Sequence, residues 1–279
     1  MKWLRLIRWP NLIIVAFTMV LLHWILVLPS IESLNLSPLL TTTQFLLLVL
    51  MTLSATAAGY IVNDFFDYKI DIINKPKRVI INKSITRRSA KKVYLILVML
   101  GAFIGSYLSG KTELWGILLL YYLVTILLFL YARYFKRQLL IGNLVVALLC
   151  ALVPVLVWYV HQNVIVLLES NNSLSLNTIF LSYIGFSFFI TLFRETVKDI
   201  EDLEGDQALG LRTLPIVSGL KTSKLVAGSY GVIVLLGILF LCTLVLEQNG
   251  VYVSLAVGLF LFLLLATSIL LLAKAKNKK

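Results

Sequence analysis

Apolar residues in this chain run in stretches of about 20, separated by short polar segments, without the strict alternation of a half-buried strand. The runs fall near residues 10–29, 42–62, 92–110, 114–132, 139–160, 178–194, 224–246 and 251–273. As helices, at roughly 1.5 Å per residue, such runs can cross a hydrocarbon core of about 30 Å. The pattern predicts an all-α integral membrane protein, a bundle of eight transmembrane helices. No linker is long enough to separate two domains, so residues 1–279 are expected to form a single transmembrane domain. The basic-then-apolar start is similar to a signal peptide. Its run is about 20 residues long and has no small-x-small site before Ser30, so it reads as the first membrane helix.

Composition agrees with this reading. The chain is 60% hydrophobic and 14% charged, with mean hydropathy +0.96, whereas a soluble domain is about a quarter charged. Charge placement then orients it. With the amino terminus inside, 24 of the 25 basic residues fall in inside segments and only Lys111 does not, while Glu32, Glu113, Glu169 and Glu247 fall in the opposite loops. The positive-inside rule therefore predicts a multi-pass protein with both termini cytoplasmic. The net charge of +12 is mostly topology, and a nucleic-acid partner is not expected. Cys150 and Cys242 lie within predicted spans without metal-ligand spacing and read as small apolar residues. His23 and His161, toward the outer ends of helices, read as packing or interfacial residues.

Two inside segments are long, about 63–91 and 195–223, and are expected to form cytoplasmic cap loops. Each opens with an acidic cluster and contains a proline, Pro76 or Pro215. All six aspartates of the chain sit in these clusters. In the first, Asn63, Asp67 and Asp71 are spaced i, i+4, i+8 and share one helical face, with Asp64 beside them. In the second, Asp199, Asp202 and Asp206 are spaced i, i+3, i+7, with Glu195 one turn earlier on the same stripe; Gly205 is a candidate helix end. Glu201 and Glu204 point away from that stripe. Carboxylates aligned beside apolar surroundings repel unless a cation joins them. Carboxylate and amide oxygens suit Mg²⁺, which takes a few protein ligands and completes its shell with water and phosphate. The expected metal ligands are Asn63, Asp64, Asp67, Asp71, Asp199, Asp202 and Asp206. Fixed cations for a diphosphate would come from Lys75, Lys77, Arg78, Lys136, Arg137, Lys198 and Arg212.

The motif Asn63-Asp64-x-x-Asp67-x-x-x-Asp71 resembles the first motif of the UbiA-type membrane prenyltransferases, and Asp202-x-x-x-Asp206 resembles the second. Arg8-Trp9-Pro10-Asn11, Tyr131 with Lys136-Arg137 and Gly142-Asn143, and Gly210-Leu211-Arg212-Thr213-Leu214-Pro215 extend the likeness over nearly the whole chain. The resemblance implies eight helices, or the nine usual in the family, around a central cavity open laterally to lipid, with the two Asp motifs facing each other beneath a cytoplasmic cap. It implies Mg²⁺-dependent transfer of a polyprenyl group from its diphosphate to an acceptor nucleophile. Asp67, Asp71, Asp202 and Asp206 would be central to catalysis, with Lys136, Arg78, Lys198, Arg212, Lys77 and Asn11 on the diphosphate or substrate. Phe65, Phe66, Tyr68, Tyr121, Tyr122 and Tyr131 are candidates to face carbocation character at C1.

Ile73-Asn74-Lys75-Pro76-Lys77-Arg78 and Arg194-Glu195-x-x-Lys198-Asp199-Ile200-Glu201-Asp202-x-x-Gly205-Asp206 are most similar to the branch that alkylates a glycerol-phosphate hydroxyl. The expected acceptor is thus a lipid phosphate. The alternative is an aromatic ring: a quinone precursor, homogentisate, haem or chlorophyllide. One departure is that Arg78-Val79-Ile80-Ile81-Asn82-Lys83 replaces the usual Arg-Pro-Ile-Pro-Ser-Gly-like continuation. A cation transporter is disfavoured, because no acid lies in the interior of a predicted span. A CDP-alcohol phosphotransferase is disfavoured by the lack of an Asp-Gly-x-x-Ala-Arg signature.

Overall fold

The computed structural model describes residues 2–33, 35–74, 79–168, 176–208 and 210–246. The expected span 251–273, residues Lys75, Lys77 and Arg78, and the side chains of Arg137 and Cys242 lie outside the described residues. Seven helices among the described residues are long and apolar enough to cross a membrane, and each coincides with one of the first seven expected spans. The chain divides into two compact units, residues 1–136 with 152–170 and residues 137–151 with 171–279.

The first unit opens with α1 (Lys2–Leu6) and α2 (Trp9–Leu21), which continues through a wider π-turn (Leu22–Val27) into α3 (Leu28–Ser33). Then come α4 (Thr42–Asn74), α5 (Arg87–Thr112) and α6 (Gly116–Arg133). A capping box starts α4: the Gln44 N–H donates to Thr41 Oγ1 at 3.3 Å and the Thr41 N–H to Gln44 Oε1 at 2.9 Å. Thr86 caps α5 by accepting the Ser89 N–H at 3.1 Å. The helix α4 does not stop where its apolar run ends. It continues to Asn74, so residues 63–74 of the expected cap loop are helix, an extension of about 18 Å that carries the first acidic stripe.

α4 packs against α2, α5 and α6. On α5, Gly101 lets Tyr121 approach closely: a Cβ there would lie 2.4 Å from Tyr121 Oη and 2.6 Å from Ser54 Oγ. Small residues at such crossings let membrane helices pack without a hydrophobic driving force. Outward positions such as Met99, Phe103 and Leu119 are exposed apolar groups, as a lipid-facing surface requires. Buried Ile81 and Ile85 join Leu6, Ile61 and Ala90 in one apolar cluster, with Asn82 turning the chain between them at φ 64°. The departure from the family's usual residues after Arg78 therefore serves as an apolar anchor under α1 and α4.

The two histidines take packing roles and lie against each other. Both are buried, His23 lies stacked on Phe45 at 3.8 Å, and His23 Nδ1 is 3.2 Å from His161 Nε2. His161 Nδ1 faces the Val157 carbonyl at 2.8 Å, so in its neutral form His161 donates there and accepts from His23.

The helix α7 (Ile141–Leu168) contributes to both units and contains Pro154 near the division. The second unit otherwise holds α8 (Leu176–Glu201), α9 (Leu203–Ala208) and α10 (Leu214–Leu246), which bends at Gly219, φ 79°. Its core is Phe193 of α8 against Ala227, Val234 and Ile238 of α10.

Candidate active site

In the first unit the stripe forms as its spacing predicts. Asp67 is 5% exposed. Its Oδ2 accepts from Asn63 Nδ2 at 2.8 Å, one turn earlier. Lys136, just past the end of α6, donates to the same carboxylate oxygen and to Asn63 Oδ1 at 3.5 Å. The contact follows from a 3₁₀ turn at Phe135–Arg137, which ends α6 and brings the ammonium back to α4. Asp71 follows on the same face, half-buried.

Asp64 lies to one side of that stripe. Arg8 donates to it at 3.1 Å and lies over the Tyr60 ring at 4.7 Å, while Asn11 donates to Tyr60 Oη at 2.8 Å. Arg8 takes a left-handed backbone, φ 52° and ψ 56°, unusual for a side chain with a Cβ. That kink between α1 and α2 aims its guanidinium at the acidic helix. Two arginines occupy other sides of α4. Arg87 lies over the Phe65 ring at 4.5 Å and Tyr68 at 5.7 Å, and Arg133 over Phe66 at 5.4 Å. Phe65, Phe66 and Tyr68 are thus engaged by the protein's own cations.

In the second unit, Asn143 Nδ2 donates to Asp199 Oδ2 at 2.8 Å. Glu195, 5% exposed, accepts from Arg194 at 2.6 Å and from Lys198 at 3.3 Å. The helix α8 ends at Glu201 and a turn at Asp202 leads into α9, yet the Asp202 N–H reaches the Lys198 carbonyl at 2.9 Å and the Asp206 N–H the Asp202 carbonyl at 3.0 Å. The helical pitch passes through the turn, so the i, i+3, i+7 spacing survives. Gly205 does not end the helix. The end comes at Gly210, φ 66°, where the Leu211 N–H bonds the Asp206 carbonyl at 3.0 Å and the Gly210 N–H the Gln207 carbonyl at 3.1 Å, the Schellman pattern. Arg212 beyond it is exposed. Next to it, Thr213 Oγ1 is the buried side-chain polar atom without a hydrogen-bond partner among the described residues.

Among the described residues no three Asp, Glu, His or Cys side chains form a ready-made metal cage. The donor set nevertheless fits Mg²⁺. It consists of hard oxygen ligands, and Mg²⁺ binds through one or two carboxylates plus water and substrate phosphate. At Asp67 the Lys136 ammonium already marks a cation position. Of the residues expected on substrate, Lys136 meets the first cluster, Asn11 lies beside it through Tyr60, and Lys198 is held by Glu195. The expected list omitted Arg8 and Asn143 as site residues. Each is an isolated polar residue in a segment the family likeness already singled out, and no spacing connects either to its aspartate.

The family model for the UbiA prenyltransferase family matches residues 25–279. The chain belongs to the UbiA prenyltransferase family: it is a multi-pass integral membrane protein and a prenyltransferase. It is 35% identical over 219 residues to digeranylgeranylglyceryl phosphate synthase of Methanobrevibacter smithii, covering 78% of this chain and 74% of that one. To the synthase of the same name from Methanothermobacter thermautotrophicus it is 36% identical over 188 residues, and the match spans 66% of this chain and 59% of the relative's length. Among solved structures, a digeranylgeranylglyceryl phosphate synthase superposes with TM-score 0.60 at 22% identity over 97% of this chain and 95% of that one. A UbiA homolog from Archaeoglobus fulgidus bound to DMAPP and Mg²⁺ superposes with TM-score 0.63 at 13% identity, over 100% and 89%. These likenesses place the fold in the UbiA class.

Proposed function

We propose that this protein transfers a geranylgeranyl group from its diphosphate to the hydroxyl of a lipid phosphate such as geranylgeranylglyceryl phosphate, at the cytoplasmic face of the membrane. The observation that carries the reading is Lys136 joined to Asn63 and Asp67 on the acidic stripe of α4: an anion-binding cation fixed beside metal-type ligands. The relatives named as synthases of digeranylgeranylglyceryl phosphate, two of them 35% and 36% identical, support the acceptor class.

Asn63, Asp64, Asp67 and Asp71, with Asp199, Asp202 and Asp206, would hold Mg²⁺. Bound there, Mg²⁺ would supply positive charge against the charge that develops on a leaving diphosphate. The chain's own residues do the rest. Lys136, with Lys77, Arg78 and Arg212, binds phosphate oxygens and stabilises the leaving group. Asn63 and Asn143 each hold one carboxylate in place through a 2.8 Å bond. In the reaction the donor's C1–O bond breaks, a C–O bond forms to the acceptor hydroxyl, and the hydroxyl proton is lost. Apolar helix faces exclude the water that would otherwise capture the allylic cation.

The test is the purified protein with Mg²⁺, radiolabelled geranylgeranyl diphosphate, and either geranylgeranylglyceryl phosphate or a hydroxybenzoate. The expected result is an ether product with the lipid phosphate. Product with the hydroxybenzoate alone would refute the acceptor, and no diphosphate release with any acceptor would refute prenyl transfer.

A further inference from the structure

The buried acid Glu195 stands outside the metal assignment. Both of its carboxylate oxygens are taken, by two different cations: Oε1 by Arg194 at 2.6 Å and Oε2 by Lys198 at 3.3 Å. The carboxylate side chain is 7% exposed, whereas those of Arg194 and Lys198 are 65% and 50% exposed. A carboxylate with no other purpose would remain in water, because burying it is costly without compensation. Here burial fixes the anchor and leaves both cationic heads open. Two cations that would repel each other are drawn together on one carboxylate, with a combined charge of +1. Guanidinium has five N–H donors and ammonium three, so each retains donors beyond its bond to Glu195. The pair stands near the C-terminal end of α8, where the helix dipole favours cations.

We infer that Arg194 and Lys198, set by the buried Glu195, form a receptor for the phosphate monoester of the acceptor. The inference rests on the lipid-phosphate reading above and names the residues that select it. A phosphate monoester carries close to two negative charges at neutral pH. Without a metal of its own it needs protein cations, and an arginine fork with an adjacent ammonium matches its oxygens. Asp199, one turn past Glu195, is committed to Asn143 and marks where the metal-binding residues begin. The donor diphosphate, by contrast, is the substrate those acids and their metal serve.

Binding distinguishes this receptor from the catalytic reading. In detergent with EDTA and no donor, the full chain is titrated with geranylgeranylglyceryl phosphate and with its dephosphorylated form, geranylgeranylglycerol. The wild-type protein should prefer the phosphorylated lipid by tenfold or more. Arg194→Gln, at an exposed position, should lose about tenfold of that preference, in keeping with loss of a charged hydrogen bond, and Arg194→Lys should restore part of it. Glu195→Gln should also weaken phosphate binding even though it makes the site more positive, because one amide oxygen cannot hold both cations. Tighter binding in Glu195→Gln, an intact preference in Arg194→Gln, or a loss confined to geranylgeranyl diphosphate with Mg²⁺ would each overturn the inference. Failure of prenyl transfer in the wild-type enzyme would refute the proposed function, and the lipid titration reads the receptor separately from that result.

Discussion

Lys136→Met tests the arrangement at the first acidic stripe, because the two partners of its ion pair are unequally buried. Among the described residues Asp67 is held by two groups, Lys136 and the Asn63 amide. Its side chain is 6% exposed, against 33% for Lys136. Removing the lysine leaves a buried carboxylate with one neutral donor, a loss of about 2 kcal/mol within the usual range for an under-satisfied buried group. Removing the charge from Asp67 instead, as Asp67→Asn, leaves an ammonium that reaches water, so the loss should be under about 1 kcal/mol. Mg²⁺ should reverse the order. At about 100 times its Kd a bound ion stabilises by about 2.7 kcal/mol, enough to offset the missing ammonium in Lys136→Met, while Asp67→Asn has lost a ligand and should respond less. The assay is thermal unfolding in detergent with EDTA and then with a Mg²⁺ titration, followed by prenyl transfer with donor titrated. Donor KM should rise in Lys136→Met because a phosphate contact is gone. The reasoning is refuted if Asp67→Asn is the less stable variant in EDTA, or if Mg²⁺ does not restore Lys136→Met.

Four further outcomes are expected. Asp71→Asn and Asp202→Asn should each lower kcat/KM by about 100-fold or more, and EDTA should abolish turnover until Mg²⁺ is restored, both read by labelled-product formation. Gly101→Val places a Cβ 2.4 Å from Tyr121 Oη and disturbs that hydroxyl's 2.7 Å bond to the Val98 carbonyl; it should cost about 2–3 kcal/mol, seen as a lower unfolding temperature. The control Gly228→Ala, with open space around it, should not destabilise. Gly210→Ala, at φ 66°, should cost about 1 kcal/mol and raise protease sensitivity at the end of α9.

How much of this was legible in the sequence follows from the range of the interactions. Seven spans and both acidic stripes are local facts. Hydrophobic length sets a span, and a 3.6-residue period places Asn63, Asp67 and Asp71 on one face whatever surrounds them. Even the helical continuation of α4 past its apolar run is implied by that spacing, although charge made residues 63–74 read as a loop. The sequence also singled out Lys136, as a fixed cation for a diphosphate between the fourth and fifth spans in a segment that carries the family likeness. It could not say which acid Lys136 meets, because 69 residues separate it from Asp67 and only the packing of α6 on α4 brings them together. The same holds for Arg8 with Asp64 and Asn143 with Asp199, pairs 56 residues apart in each case. Aromatic residues near the motif were candidates to face a carbocation, and only tertiary structure set Arg87 over Phe65 and Tyr68 and Arg133 over Phe66. The sequence by itself determined the membrane class and the two acidic stripes, because those depend on composition and helical period, while the reaction type came from the family resemblance that its motifs carry. Which distant cation neutralises Asp64 and Asp67 was decided only by tertiary structure, because a buried charge takes the partner that packing delivers to it.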